Sequence, residues 1–174
     1  MSHSGHNQKE NKTVNDIKTF SVPFALKETK KDITVKSNPP VNYSKDQIIN
    51  QAYQFQVQGK ILEAAKYYQY FLNKGFKDHT VFTNYGVILK KLGNLKEAKS
   101  YLRKAIDLNP DHALAYSNLG NVLKDLGQFE QAEISARKAI KLRPDLAEAH
   151  SNLGNILSDL GKLQEAELSI RKAI

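Results

Sequence analysis

Asparagine recurs at residues 50, 84, 118 and 152, each step 34 residues long, and again at 121 and 155 in the last two copies. A side-chain amide offers two N–H donors, a carbonyl acceptor and no titratable group, so its chemistry is recognition rather than bond-making. A row of amides at fixed spacing suits an extended peptide, whose backbone carries the matching donors and acceptors. Asparagine is also a poor residue for a helix interior, costing roughly 0.5 kcal/mol relative to alanine each time. Two readings are open. The amides are shared by descent and bond only to neighbouring helices or water, or they form a ladder lining a ligand groove. Asn50 weighs toward the ladder, because its copy has drifted at positions that packing should hold more firmly.

Reactive groupings are missing elsewhere. The chain has no cysteine, hence no disulfide frame, thiolate metal site or thiol nucleophile. No Gly-rich phosphate loop, paired metal ligands or nucleophile with a nearby base is present. His3 and His6 stand in a polar tail, and two histidines there do not make a metal site. His79 and His112 fall at unit boundaries, and His150 takes a packing position that Tyr116 fills one copy earlier, so all three read as packed side chains. No catalytic residue, metal or cofactor is expected, and the chain itself is not read as an enzyme.

The net charge of +8 is spread along the chain. A nucleic-acid binder gathers its bases on one stripe with aromatics between them, so nucleic acid is not the expected partner. Lys104, Arg137, Lys138, Arg171 and Lys172 read as a solvated basic face. Apolar runs fall far short of the roughly 20 residues that span a bilayer. The opening MSHSGHNQKENK lacks the apolar core of a secretory signal. A cytoplasmic location is expected.

The elements that must position the amides follow from the same period. Residues 113–140 and 147–174 agree at 18 of 28 positions (AYSNLGNVLKDLG against AHSNLGNILSDLG in their first halves). Glycines recur at 59, 93, 127 and 161, and alanines at 64, 98, 132 and 166. Each of these glycines lies between two apolar helical stretches, where a tight helix–helix turn wants a residue without a Cβ. Pro110 and Pro144 end one helical pair and admit the next. Ser44 followed by Gln47 reads as a capping box opening the first helix. Residues 1–43 are rich in Lys, Asn, Ser and Thr, broken by Pro23, Pro39 and Pro40, and are expected to be a disordered tail whose one apolar patch is FSVPFAL, Phe20 to Leu26.

These features resemble the tetratricopeptide repeat (TPR) family, bacterial type, whose period is 34 residues. The family's small and large positions are legible in the third unit as Tyr116, Leu119, Gly120, Leu123, Ala132, Ala136, Ala139 and Pro144. The resemblance implies an all-α solenoid, a right-handed superhelix of helix–turn–helix units, over 45–78 (divergent), 79–112, 113–146 and 147–174 (incomplete). Unit one departs most, with Ala52 in place of Gly and Phe76 in place of Pro.

On a helical wheel the sixth position of each unit lies roughly 160° from the packing glycine at position eight. Positions two, six, nine and thirteen therefore form an opposite stripe: Leu114, Asn118, Asn121 and Asp125 in unit three, Glu148, Asn152, Asn155 and Asp159 in unit four. This stripe is similar to the asparagine-lined groove of O-linked N-acetylglucosamine transferase repeats. The similarity implies capture of an extended peptide by Asn50, Asn84, Asn118, Asn121, Asn152 and Asn155. Family members that grip a chaperone C-terminal carboxylate use Lys at position five and Asn at nine. Here Ile49 and Tyr53 stand in unit one, and Thr83 and Val87 in unit two, so no clamp is expected.

The expected function is a non-catalytic scaffold binding a protein or peptide partner in its concave groove. The alternative is the recognition arm of a larger enzyme, because similar arrays are joined to glycosyltransferase, sulfotransferase or oxygenase domains. The fourth unit ends at its twenty-eighth position without a polar cap. Leu153, Leu157, Leu168 and Ile174 are expected to border an uncovered face, through which the chain self-associates unless it is a piece of a longer one.

Overall fold

The computed structural model describes residues 43–174, and the expectations for the polar tail and its FSVPFAL patch lie outside them. Eight helices follow one another: α1 (Lys45–Val57), α2 (Ile61–Asn73), α3 (His79–Lys91), α4 (Leu95–Leu108), α5 (Ala113–Asp125), α6 (Phe129–Leu142), α7 (Ala147–Asp159) and α8 (Leu163–Arg171). There is no strand among the described residues.

Local chemistry sets the helix ends. The Ser44 hydroxyl accepts from the Gln47 amide at 3.3 Å while Gln47 Oε1 accepts from the Ser44 amide at 2.9 Å, closing the capping box expected from the sequence. Asp78 Oδ1 caps α3, accepting from the amides of Thr80 and Val81 at 2.9 and 3.1 Å. Within each hairpin the first helix stops at a left-handed glycine. At Gly127, with φ of 72°, the amides of Gly127 and Gln128 return to the carbonyls of Lys124 and Leu123, both at 2.9 Å. That pair of bonds satisfies carbonyls the helix would leave open, and only glycine adopts its φ without strain.

The core runs along the seam of each hairpin and on into the next. Tyr68, Phe71, Ile88, Leu102, Leu123, Ile156 and Leu157 are fully buried. Units one and two pack aromatic rings, including Phe55 on Tyr67, Phe71 on Phe76 and Tyr85 edge-on to Tyr101. Units three and four use alanines and aliphatics instead. A Cβ on Gly120 would lie 3.1 Å from the Ala132 carbonyl oxygen, so α5 and α6 approach at backbone distance there.

Each second helix packs against the following first helix, as α4 against α5 and α6 against α7. First helices also touch one another, α3 with α5 and α5 with α7, whereas second helices make no comparable contact. The units therefore close up on their first-helix side, which becomes the inner face of an all-α solenoid. Of the four side chains expected at an uncovered face, Leu153 and Leu157 are instead buried, at 4% and 0% exposure. Both fold inward beneath α8, and only Leu168 and Ile174 stand out in solvent.

Candidate functional site

The asparagines lie on the inner stripe, and their neighbours explain why. In α5 the residues at 119, 120, 122 and 123 are buried against α6 and the adjacent units. Helical periodicity then leaves Asn118 and Asn121 half-buried on the other side. Asn84 and Asn152 are likewise half-buried, and Asn50 and Asn155 are exposed.

The six amides divide into two sets. Asn152 Nδ2 donates to Ser117 Oγ of the preceding unit at 3.0 Å, with the Ser117 carbonyl at 3.5 Å. Asn118 Nδ2 donates to the Leu114 carbonyl of its own helix at 2.9 Å. Asn84 lies beside the Tyr68 hydroxyl of the preceding unit, which donates to Gln56 Oε1 at 2.8 Å. Burial pushes the Tyr68 phenol up to about 12, the neighbouring Asn84 amide works against that rise, and nearby Tyr53 adds to it. Among the described residues, Asn50, Asn121 and Asn155 have no hydrogen-bond partner. An amide tied by one donor keeps its second N–H and its carbonyl, so the tied set is oriented rather than used up.

Other members of the stripe do different work. Asp125 pairs with Lys90 of the preceding unit at 3.1 Å and with Lys124 at 3.6 Å, while Asp159 meets Lys124 at 4.0 Å. Lysine at position twelve thus reaches aspartate at position thirteen of the next unit, and these acids fasten units together. Sequence reasoning missed this pairing and the role of Ser117, which is fully buried and receives Asn152. The available signal was Lys90 and Lys124 at position twelve, Asp125 and Asp159 at position thirteen, and the doublet Ser117–Asn118 repeated as Ser151–Asn152. At the unit-one end the stripe is apolar, with Tyr53 and Val57 exposed.

The histidines sit in packing. His150 Nε2 is 2.8 Å from the Pro144 carbonyl oxygen. The His79 and His112 rings meet edge to face at 4.7 Å. Burial, the facing His79 and Arg143 lower the His112 pKa, with Asp78 opposing. Among the described residues no three His, Asp or Glu side chains converge to hold a metal ion. No described helix is long and apolar enough to cross a membrane.

Solved structures share this fold. MamA from Desulfovibrio magneticus RS-1 is 20% identical with a TM-score of 0.67, over 75% of this chain and 73% of that one. YrrB, described as a TPR protein with an unusual peptide-binding site, is 24% identical with a TM-score of 0.65, over 75% and 68%. An O-GlcNAc transferase variant from Thermobaculum terrenum is 31% identical with a TM-score of 0.63, over 65% of this chain but 22% of the transferase. A comparison with curated proteins finds no match. Residues 50–174 match the family described as "Cilia and flagella-associated protein 70 middle TPR-like domain", and the chain is a TPR protein belonging to that family.

Proposed function

We propose that the chain is a non-catalytic scaffold whose inner face binds an extended peptide segment of a partner protein. Asn50, Asn84, Asn118, Asn121, Asn152 and Asn155 address the peptide backbone. The observation that carries this reading is the free set: Asn50, Asn121 and Asn155 have no partner among the described residues. Each weakens its helix relative to alanine, and packing gives no reason for it. The tied set supports the same reading, since an amide already held in place loses less freedom when a ligand binds. Tyr53 and Val57 offer an apolar contact at one end of the stripe. YrrB, of the same fold, is described as having a peptide-binding site.

Peptides selected from a random display library on the full chain test the proposal. They should perturb amide NMR signals along α1, α3, α5 and α7, and N-methylation of the peptide backbone should weaken them. Perturbations confined to α2, α4, α6 and α8, or indifference to N-methylation, would overturn it.

A second reading has its own support. The O-GlcNAc transferase likeness, at 31% identity over 22% of that enzyme, suits a recognition arm carried by a larger catalytic protein. A reading frame running beyond Ile174 into a catalytic domain would support it, and a stop codon there would exclude it.

A further inference from the structure

A second, differently built site lies on the other side of the array. Position four of the units is Ile48, Phe82, Tyr116 and His150. In unit three the Tyr116 ring fills the space beside α6, with the Lys138 ammonium 5.9 Å from its centre. In unit four the shorter His150 is drawn to the Pro144 carbonyl oxygen at 2.8 Å. A cleft of about 290 Å³ opens between α6, α7 and α8, with Ile140, Leu153 and Leu168 among its lining.

The cleft does not depend on unit four being last in this chain. The residue of unit three that corresponds to Leu168 is Ile134, which stays 70% exposed with unit four stacked beside it. This face is therefore open in a covered unit as well. Its lip is basic: Arg137, Lys141 and Lys172 line the cleft. Arg137 is committed to Glu133 at 2.8 Å and Glu165 at 2.7 Å. Among the described residues, Lys141 and Lys172 have no acidic partner.

We propose that this cleft docks an acidic peptide segment, which inserts one bulky apolar side chain between Ile140, Leu153 and Leu168 and sets flanking carboxylates on Lys141 and Lys172. The volume stands at the bottom of the roughly 300–1,000 Å³ range of small-molecule sites, which suits a single side chain better than a whole cofactor. An apolar anchor in a desolvated pocket carries most of such an interaction, and the lysines confer selectivity and salt dependence. Nucleic acid fits less well, because Glu133, Glu165 and Glu167 stand among the bases of this face where a continuous basic stripe would be needed.

The test uses the full chain and fluorescence anisotropy with a labelled short peptide, one Phe flanked on both sides by Asp and Glu. His150→Tyr closes the cleft with the residue that unit three already holds there, so the fold is kept. It should weaken binding by about tenfold or more, as should replacing the peptide's Phe with Ala. Lys141→Glu with Lys172→Glu provides a second, surface variant and should weaken binding similarly. Lys66→Glu, a charge reversal at an exposed position of α2 remote from the cleft, should leave it unchanged. Undiminished affinity in the His150→Tyr protein would overturn the proposal. So would equal binding of the Phe and Ala peptides, equally tight binding of single-stranded DNA, or no measurable binding of the acidic peptide.

Discussion

Replacing Asn121 and Asn155 together with alanine separates the cost of the amides from their use. Both lie inside helices, at the ninth position of α5 and of α7, and neither has a hydrogen-bond partner among the described residues. Alanine removes the helix penalty, about 0.5 kcal/mol at each site, and no bond within the array is lost. The double variant should therefore be more stable by about 1 kcal/mol. In a chain of this size that raises the midpoint of thermal unfolding by roughly 2–5 °C, read by circular dichroism. Affinity for library-selected peptides should move the other way. Two lost hydrogen bonds at about 0.5–1.5 kcal/mol each weaken Kd by roughly 5- to 150-fold. A lowered midpoint would show that the amides have a partner inside the array. An unchanged Kd would remove them from the groove. Either result refutes the reasoning.

Two further outcomes follow from bonds and charges in the array. Asn152→Ala and Ser117→Ala, combined in a double-mutant cycle of urea unfolding, should show a coupling of about 0.5–1.5 kcal/mol, and additive losses would mean the link is not formed. The His112 pKa lies below its ordinary 6.5, so the unfolded chain binds more protons in the window between the two values. Stability should be complete above pH 6.5 and fall as pH drops through the lowered value, and His112→Gln should flatten that fall. Glu133, held low chiefly by its hydrogen bond from Lys162, loses its contribution only below the ordinary carboxylate range and does not confuse the window.

What the sequence disclosed depended on whether a feature was local or crossed between units. The 34-residue period located the glycine turns because the left-handed φ at Gly59, Gly93, Gly127 and Gly161 is a property of one residue. The capping box at Ser44 and Gln47 was legible for the same reason, its bonds spanning three residues. The inner stripe followed from periodicity alone. The partners of the stripe did not, because Asn152 with Ser117 and Lys90 with Asp125 are joined by stacking, whose offset no single helix encodes. Leu153 and Leu157 were expected at an open face because a wheel shows which side a residue takes but not how far the next helix reaches over it. The cleft beside His150 was hidden for a related reason. The change from Tyr116 reads as one packed ring for another until the missing volume is seen.

The polar links also explain why the inner face differs along its length. Between units three and four, Asn152 reaches Ser117, Lys124 reaches Asp159 and Lys162 reaches Glu133 at 2.8 Å, so stacking there is fixed by directional bonds on both sides of the hairpins. Unit one has Gln56 at the lysine position and unit two Lys91 at the aspartate position, so this junction lacks that ion pair and combines rings such as Tyr68 against Tyr85 with the Tyr85 hydroxyl donating to Gln69 Oε1 at 2.7 Å. In an array whose stability is a sum of units and their interfaces, the amide-rich half then offers a fixed spacing of donors and acceptors. Under the proposed peptide-binding reading, this fixed spacing would meet the ligand backbone, and exposed Tyr53 and Val57 would supply an apolar contact at the other end of the stripe.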